Sequence, residues 1–396
     1  MNKRVVVGLS GGVDSSIAAH LLLQQGYEVI GIFMRNWHDE SVTINNECPW
    51  IDDSNDAMLV AEALGIPFHV LDMSAQYKER IVDYMFREYQ AGRTPNPDVL
   101  CNREIKFDLF LDAAVNLKAD FIATGHYCRK EVMLGEDGSE IFRLLAGVDK
   151  NKDQSYFLCQ LNQHQLRHAL FPIGHLTKPE VRKRAEEIDL PNAAKKDSQG
   201  LCFIGKVKLP IFLQQQLDVK KGKIIEVPPS ATLYPTKPFL GTSDVELKEF
   251  TDPYSFKESD GVLAGEHPGA HFFTIGQRKG LGVGGKAIPL FIVETDTDKN
   301  LVYAGQGEDH PALLRKGLFI PEADIHWIRP DLEMAIGEEV GYEVRIRYRQ
   351  PLFDCRLFRR ESGLYLIFGE NQRGIARGQF AAWYKDDELI GSGIIS

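Results

Sequence analysis

The sequence predicts an α/β protein with an N-terminal parallel-sheet domain, a small central domain and a C-terminal β-barrel. Strand-like and helix-like segments alternate over the first two hundred residues, which indicates parallel pairing through right-handed crossovers. This alternation fades after about residue 206, and short β-type runs with frequent turns follow from residue 288, a pattern typical of a barrel. We therefore expect domains at residues 1–205, 206–287 and 288–396.

The elements of the N-terminal domain are predicted from apolar runs and their stop signals. Strands are expected at residues 4–9, 28–35, 68–73 and 120–124. Helices are expected at residues 15–25, 56–64, 77–90, 103–117 and 178–188. The sequence GEDG at residues 135–138 predicts a hairpin turn. Residues 226–260 are rich in Pro, Ser, Thr and charge, which predicts an extended insertion in the central domain.

Composition disfavours several classes of protein. The chain has 396 residues and a formal net charge of −10, which disfavours a protein that binds nucleic acid over its whole surface. The sequence contains no apolar run of about 18 residues, so no membrane span is expected. Six cysteines without a CxxC pair favour neither a disulfide scaffold nor a zinc knuckle. We expect a cytoplasmic protein with reduced cysteines.

A glycine-rich turn follows the first predicted strand, with the sequence SGGVDSS at residues 10–16. Glycines allow backbone N–H groups to approach phosphate oxygens, and a helix N-terminus attracts anions. The turn lacks the lysine of a Walker A loop and the third glycine of the dinucleotide motif. A tight connection would explain two glycines alone, but the full string resembles the PP-loop ATP pyrophosphatases (adenine nucleotide α-hydrolase-like). That resemblance implies cleavage of ATP between its α and β phosphates and adenylation of a substrate oxygen.

Two cysteines stand in settings that favour chemistry. Cys101 follows Pro95-Asn96-Pro97-Asp98, and the two prolines fix an extended entry into a helix. We therefore expect its thiol at or near a helix N-terminus, where the thiolate is favoured, with Asp98 close enough to exchange a proton. A buried structural cysteine is the alternative. Cys202 lies between glycines in DSQGLCFIG, which predicts a loop that can move a sulfur atom between sites.

The predicted barrel contains a basic stretch. Between Arg345 and Arg377 there are eight arginines and three acidic residues. Arg345, Arg347 and Arg349 alternate, so we expect them to share one face of a strand that could follow RNA phosphates. A solvated strand face without a ligand is the alternative.

Five segments together resemble the tRNA-specific 2-thiouridylases. They are the PP-loop, NPDVLCN, GHY, KDQSYFL and DSQGLCFIG, joined by HFFTIGQRKGLGVGG and RGIARGQFAAWY further along the chain. The resemblance covers almost the whole chain. It implies that ATP adenylates the C2 oxygen of wobble uridine 34 in the tRNAs for Lys, Glu and Gln. A protein persulfide then supplies sulfur, which gives 2-thiouridine, AMP and pyrophosphate.

The resemblance also implies a role for each motif. Cys202 would carry the persulfide, Cys101 would attack it or act on the base directly, and Asp98 would be the general acid or base. ATP would be bound by Gly8, Leu9, Ser10, Gly11, Gly12, Val13, Asp14, Ser15, Met34 and Gly125. The tRNA would be contacted by Asn96, Pro97, Asp98, His126, Lys152, Asp153, Gln154, Arg347, Tyr348 and Gln379.

The resemblance implies ATP with Mg²⁺ and a sulfur donor such as a cysteine desulfurase or relay protein. We expect no permanently bound metal and no membrane partner, and a monomer is the default expectation. Three alternatives remain. An amide-forming PP-loop synthetase would adenylate a small substrate and would need neither cysteine. A non-catalytic RNA-binding or sulfur-carrier module would not need an intact SGGVDSS. An iron–sulfur cluster could replace the persulfide, but no third cysteine is obviously placed to hold it.

Overall fold

The computed structural model describes residues 2–36, 49–197, 209–214, 216–230, 234 and 243–396. These residues form a parallel sheet, a mixed sheet of four strands and a larger antiparallel sheet. None of the helices in the described ranges has the length and apolar character needed to cross a membrane.

The parallel sheet forms the centre of the N-terminal domain. Within the described residues, the first seven strands are β1 (Arg4–Gly8), β2 (Glu28–Arg35), β3 (Phe68–Asp72), β4 (Phe121–Ala123), β5 (Cys128–Leu134), β6 (Glu140–Ala146) and β7 (Ala169–Leu170). Five of them pair in parallel in the order β3-β2-β1-β4-β7, which confirms the predicted sheet. The order reverses between β1 and β4, and ligands of such sheets bind at the carboxyl ends of the strands at this point.

Eight helices accompany these strands: α1 (Val13–Gln24), α2 (Pro49–Leu64), α3 (Ser74–Tyr77), α4 (Asp83–Gln90), α5 (Pro97–Leu100), α6 (Phe110–Asn116), α7 (Gln163–His168) and α8 (Lys178–Glu187). Two π-helical turns, Lys78–Val82 and Cys101–Leu109, join α3 to α4 and α5 to α6. The second of these composite helices begins six residues before the predicted start at residue 103. Asn96 explains the difference, because its side chain accepts a hydrogen bond from the Val99 amide at 3.3 Å and caps the helix.

The central sheet contains β8 (Gly222–Glu226), β9 (Val262–His267), β10 (Leu290–Asp296) and β11 (Leu301–Gln306), in the order β10-β11-β8-β9. A short helix, α9 (Leu209–Leu213), precedes it. The runs that form β10 and β11 were assigned to the C-terminal domain from sequence, but β11 pairs in parallel with β8. This pairing favours a boundary after β11 instead of at residue 288. The domain limits themselves remain a prediction.

The predicted insertion at residues 226–260 is not extended throughout, because it contains α10 (Asp244–Thr251). This helix packs on strands of the C-terminal sheet. Leu247 is fully buried in a cluster with Phe358 and Tyr365, and Arg360 Nε donates to the Asp244 carboxylate at 2.9 Å. The apolar face of α10 therefore has a partner that lies about a hundred residues away in sequence.

The C-terminal domain is the expected β-barrel. Its strands are β12 (Leu314–Pro321), β13 (Ile325–Trp327), β14 (Glu339–Arg345), β15 (Phe353–Arg360), β16 (Gly363–Arg373), β17 (Phe380–Lys385) and β18 (Glu388–Ile394). They pair in the order β12-β16-β15-β14-β17-β18, and β13 also pairs with β18. The Ser396 amide donates to the Phe319 carbonyl oxygen at 3.1 Å, which connects the end of the chain to β12.

The hairpin predicted at residues 135–138 connects the N-terminal domain to the barrel. Its second strand, β6, pairs with β18 at Leu144 and Leu389, so the large sheet continues into β6 and β5. The Ala146 amide also donates to the Asp387 carbonyl oxygen at 2.7 Å. The barrel is therefore attached to the N-terminal domain by backbone hydrogen bonds as well as by side chains.

Candidate functional site

The PP-loop lies between β1 and α1 at the point where the strand order reverses. Gly12 is the N-cap of α1 and no side chain caps this end, so the first-turn N–H groups have no protein cap. The hydroxyl groups of Ser15 and Ser16 both donate to the Gly12 carbonyl oxygen at 3.0 Å, and Ser15 Oγ accepts from the Ser10 amide at 3.1 Å. The loop is thus held from inside by its serines while its amides remain available to an anion.

Two glycines at this site have no possible substitute. Gly11 has φ +73°, and a Cβ there would lie 2.2 Å from the Asp53 carbonyl oxygen. Gly125 follows β4, and its Cβ would lie 2.6 Å from the Ser15 nitrogen. The second contact shows that two distant sequence motifs, SGGVDSS and GHY, pack backbone against backbone.

The rest of the predicted ATP site surrounds this loop. Leu9 is buried, and its amide donates to the Ile32 carbonyl oxygen at 2.8 Å. Gly8 leaves room for Met34, whose Cε would be 3.2 Å from a Cβ at that position. Val13 begins α1 and is buried in its own apolar cluster. The predicted ATP residues therefore lie together at the carboxyl ends of β1, β2 and β4.

Asp14 is held by two residues that sequence reasoning missed. Its Oδ1 accepts from the Tyr127 hydroxyl at 2.7 Å and from Lys178 Nζ at 2.7 Å, and its Oδ2 accepts from Lys178 Nζ at 2.9 Å. Burial next to Asp14 raises the pKa of Tyr127 far above its usual range, so the phenol stays a donor. A carboxylate offers about four lone pairs, so one position on Oδ2 is left for a further ligand.

Neither missed residue has a local signal for this role. Thr177 and Glu180 form a capping box that marks the start of α8, but nothing in that spacing relates Lys178 to a residue 164 positions earlier. Asn192 is a third such residue. Its side-chain amide donates to the Gly11 carbonyl oxygen and to Ser16 Oγ, both at 3.0 Å.

The NPD segment and Cys101 are in one helix. Pro97 is its first residue, Asp98 is half-buried in the first turn, and Cys101 begins the π-helical turn. The thiol therefore lies in the second turn and is fully buried in the large apolar cluster to which Met34 also belongs. π-Helical turns are rare and occur frequently at functional sites.

The partner thiol, Cys202, lies outside the described residues. Three other cysteines are packed as structural thiols. Burial raises the pKa of Cys159 to about 12 and that of Cys128 and Cys355 well above the usual range of a thiol. These groups remain protonated at neutral pH and differ in this respect from a sulfur nucleophile.

His126 is buried between the rings of Phe107 and Phe171, with 7% of its surface exposed. Its Nδ1 forms a hydrogen bond of 2.7 Å with Thr124 Oγ1. Burial, with a smaller effect from Lys106, lowers the pKa of His126 well below 6.5. The imidazole is therefore neutral and has internal contacts.

The KDQ segment, residues 152–154, contacts Asp197, Tyr127 and Arg345 of the barrel. Lys152 Nζ contacts the Asp197 carboxylate at 2.7 Å, and Gln154 Oε1 accepts from the Tyr127 amide at 3.0 Å. Asp153 is 3% exposed, and its carboxylate accepts from Arg345 of the barrel at 3.1 Å. The side chains of Asp153 and Gln154 thus have partners inside the protein, and Lys152 and Gln154 are both half-buried.

The prediction that Arg345, Arg347 and Arg349 share one strand face is wrong. Strand β14 ends at Arg345, which is buried and paired with Asp153. Arg347 and Arg349 lie in the following turn, and Arg349 has φ +62°. The Arg345 guanidinium is directed inward to a residue 192 positions earlier. The strand ends after it because the next amide, that of Ile346, donates to Gln350 Oε1 at 2.9 Å instead of to a neighbouring strand.

Ion pairs neutralise most of the basic stretch. Six of its eight arginines pair with carboxylates: Arg345, Arg356, Arg359, Arg360, Arg373 and Arg377. Within the described ranges, Arg347 and Arg349 have no carboxylate partner. Arg347 donates to the Gly374 carbonyl oxygen, and the Arg349 guanidinium lies 5.2 Å from the centre of the Tyr348 ring. The positive charge left for a ligand is concentrated in this turn.

The same turn lies next to the NPD segment. The Tyr348 ring is 4.3 Å from that of Phe157, whose carbonyl oxygen accepts from Asn102. Gln379 Nε2 donates to the carbonyl oxygens of Thr94 at 2.8 Å and Pro95 at 3.2 Å. The barrel therefore holds the backbone that leads into Asn96, Pro97 and Asp98.

Three parts of the chain match models of known protein families. Residues 3–206 match the family model described as the tRNA methyl transferase HUP domain. Residues 251–306 match the tRNA methyl transferase PRC-barrel domain, and residues 320–395 match the aminomethyltransferase beta-barrel domain. A protein of Christiangramia forsetii named tRNA-specific 2-thiouridylase MnmA is 59% identical over 395 residues, which is 100% of both chains.

The chain belongs to the tRNA-specific 2-thiouridylase MnmA family.

Two further relatives with the same name agree with this assignment. The protein of Flavobacterium johnsoniae is 58% identical over 100% of both chains. That of Karelsulcia muelleri is 48% identical over 100% of this chain and 99% of its own. The 2-thiouridylase family is a family of sulfurtransferases, which confirms the enzyme class expected from the sequence, and the HUP domain agrees with the expected binding of ATP. The amide-forming synthetase is not favoured.

Proposed function

We propose that this chain adenylates the C2 oxygen of wobble uridine 34 in the tRNAs for Lys, Glu and Gln and replaces that oxygen with sulfur. The observation that carries the proposal is the contact of Gln379 with Thr94 and Pro95. An enzyme that modifies a base within RNA must hold the RNA and present the base to the chemistry. A barrel that directly positions the segment before Cys101 is suited to that task, whereas a synthetase for small substrates has no need of it.

The ATP half of the reaction is assigned to the PP-loop. The amides of Gly11, Gly12, Val13, Asp14 and Ser15 would hold the phosphates at the uncapped N-terminus of α1. Gly8, Leu9, Ser10, Met34 and Gly125 would complete the ATP site. The uridine O2 attacks the α-phosphorus, pyrophosphate leaves, and the C2 oxygen becomes part of a good leaving group.

Mg²⁺ is proposed to arrive with ATP. In the described ranges, no three His, Cys, Asp or Glu side chains converge as metal ligands do. Nucleotide-bound Mg²⁺ needs only one or two carboxylates, since phosphates and water supply its other ligands. The remaining lone pair on Asp14 fits this requirement. The ion would neutralise charge on the phosphates.

The sulfur half is assigned to the two thiols. A donor protein, such as a cysteine desulfurase or a relay protein, leaves a persulfide on Cys202. The Cys101 thiolate attacks the Cys202 sulfur of that persulfide, which releases hydrosulfide and forms a Cys101–Cys202 disulfide. Hydrosulfide adds to C2, and AMP leaves with the former C2 oxygen. Two equivalents of a cellular thiol then reduce the disulfide with two electrons and are themselves joined as a disulfide. Asp98 would move the protons.

Recognition of the tRNA is assigned to two groups of residues. Asn96, Pro97, Asp98 and His126 would surround the target base. Lys152, Asp153, Gln154, Arg347, Tyr348 and Gln379 would contact the anticodon arm or hold the elements that do. We propose that one monomer acts on one tRNA in the cytoplasm, where thiols are reduced.

Release of pyrophosphate tests the proposal against its rivals. The protein is incubated with Mg-ATP and an unmodified tRNA for Glu, without a sulfur donor. We expect pyrophosphate only when the tRNA is present, with AMP retained on the uridine, and none with a matched tRNA that carries C34. Equal release of pyrophosphate without tRNA would favour a synthetase for small substrates. Iron and acid-labile sulfide in the purified protein, with activity lost on chelation, would favour the iron–sulfur route.

A further inference from the structure

Asp197 forms ion pairs with three basic side chains, one of which also contacts Asp14 of the PP-loop. Its carboxylate contacts Lys152 Nζ at 2.7 Å, Lys178 Nζ at 2.8 Å and Arg182 Nη2 at 2.8 Å. Burial alone would raise its pKa, but the hydrogen bonds from Lys152 and Lys178 hold the pKa of Asp197 well below its usual range. The carboxylate is therefore ionised throughout the physiological pH range, and the contacts persist there.

Lys178 connects these ion pairs to the ATP site. It is the first residue of α8, where the helix dipole disfavours a cation, and it is only 8% exposed. Burial of an ammonium group is costly unless carboxylates compensate it, and two do so here, Asp14 and Asp197. The result is a continuous bridge from the PP-loop through Lys178 to Asp197.

Asp197 lies close in sequence to Cys202, so these ion pairs bear on where sulfur is delivered. Cys202 follows it by five residues, so the two Cα atoms are at most about 18 Å apart even when that chain is fully extended. A second contact restrains the same stretch of backbone, because Arg182 Nη1 donates to the Lys195 carbonyl oxygen at 3.1 Å. Asp197 and the backbone at Lys195 are thus fixed relative to the PP-loop.

We propose that Asp197 is a positioning residue for sulfur transfer: its contacts with Lys178, Lys152 and Arg182 hold the backbone at Asp197, five residues before Cys202, beside the PP-loop. The inference rests on the proposed function, since it takes Cys202 as the residue that carries sulfur. Loss of the Asp197 charge leaves the PP-loop, Cys101 and Cys202 chemically intact. It removes the contacts that fix the backbone five residues before Cys202.

The test separates the two half-reactions. Adenylation is measured as tRNA-dependent release of pyrophosphate without a sulfur donor, and transfer as the single-turnover rate at which ³⁵S passes from preloaded Cys202 to tRNA. For Asp197→Asn we expect transfer to fall about tenfold or more, because small displacements of a reacting group are costly. Adenylation should stay within about threefold, as for the loss of a partly exposed ion pair. Asp197→Glu should restore most of the transfer rate.

Asp387→Asn is the matched control. Asp387 also lies between a lysine and an arginine, with Lys150 Nζ at 2.6 Å and Arg129 Nη2 at 2.9 Å, but it belongs to the turn between β17 and β18. We expect both half-reactions of this variant to stay within about twofold. Arg182→Met is a second probe of the same anchor and should give an intermediate loss of transfer.

The outcomes that contradict the role of Asp197 differ from the one that contradicts the proposed function. An equal fall of adenylation and transfer in Asp197→Asn would show that Asp197 only supports the PP-loop, and unchanged transfer would remove it from the mechanism. If Asp197→Asn does not fold, normal transfer in Arg182→Met would overturn the inference. If the wild-type protein forms neither pyrophosphate nor thiouridine, the proposed function fails and this inference fails with it.

Discussion

The side-chain amide of Gln379, in the barrel, donates to the backbone carbonyl oxygen of Thr94, in the N-terminal domain, at 2.8 Å. The Thr94 amide in turn donates to the Arg377 carbonyl oxygen at 2.8 Å, and Thr94 Oγ1 lies 3.1 Å from Thr274 Oγ1 of the central region. All three parts of the chain therefore meet at Thr94, two residues before Asn96. The segment proposed to receive the target base is positioned by the domain proposed to bind RNA.

Gln379→Ala tests this connection. The variant loses two hydrogen bonds to backbone carbonyls, each worth about 1 kcal/mol, and the entry to the NPD segment is no longer held. We expect kcat/KM for thiolation to fall about tenfold, while affinity for ATP alone changes less than about twofold. Gln163→Ala is the control, because Gln163 Nε2 also bridges two carbonyl oxygens, those of Phe142 and Ile328. Equal losses of kcat/KM in both variants would contradict a specific role for Gln379.

Substitution of Cys101 or Cys202 should abolish thiolation without changing the affinity for tRNA. Cys101→Ser and Cys202→Ser should each reduce thiolation at least about a thousandfold, because a hydroxyl neither holds sulfane sulfur nor attacks it at neutral pH. Affinity for tRNA, measured by filter binding, should stay within about twofold. Cys355→Ala changes a buried barrel thiol and should leave thiolation intact. Normal turnover by either serine variant would exclude that cysteine from the mechanism.

Arg347 should contribute to tRNA affinity more than an arginine that already has a carboxylate partner. Arg347→Ala should weaken tRNA binding about tenfold and lower the slope of log K against log salt by about one. Arg356→Ala removes the same charge from the same domain, but Arg356 pairs with Glu339 at 2.7 Å, so we expect little change. Indistinguishable slopes for the two variants would show that the turn after β14 does not contact phosphate.

His126 should make stability depend on pH. Its pKa is lowered in the folded protein, mainly by burial, so below pH 6.5 the unfolded chain binds a proton that the folded chain does not. Stability is therefore present above pH 6.5 and is lost as the pH falls, by up to about 1.4 kcal/mol per pH unit. His126→Gln should flatten the fall in urea-unfolding free energy between pH 6.5 and 5.5. The exposed His164→Gln should not, and a parallel dependence in both variants would contradict the assignment.

The local parts of this architecture could be predicted from the sequence. Strand β2 has the predicted bounds, Glu28–Arg35, and the turn after β1 was correctly placed between a strand and a helix. These elements depend on apolar runs of five to eight residues and on glycines at fixed positions. The two-residue strand β7 was missed, because two residues cannot show a periodicity.

The features that the sequence did not predict depend on pairs of residues that are far apart in the chain. Arg345 is buried against Asp153 at the end of β14, and Arg347 and Arg349 lie in the turn after it, which no alternation of arginines reveals. Asp14 and Lys178 are likewise brought together only by the packing of α1 on α8. Such pairs follow from tertiary packing, and a single sequence gives no signal for them.

Nucleoside mass spectrometry tests the central claim most directly. Unmodified tRNA for Glu is incubated with the protein, Mg-ATP and a persulfide donor, then digested to nucleosides, with a C34 variant of the same tRNA as the control. We predict one exchange of oxygen for sulfur on uridine 34, dependent on ATP and absent from the control. Formation of pyrophosphate without thiouridine would contradict the sulfur half of the account, and formation of neither product with the tRNAs for Lys, Glu and Gln would contradict the whole of it.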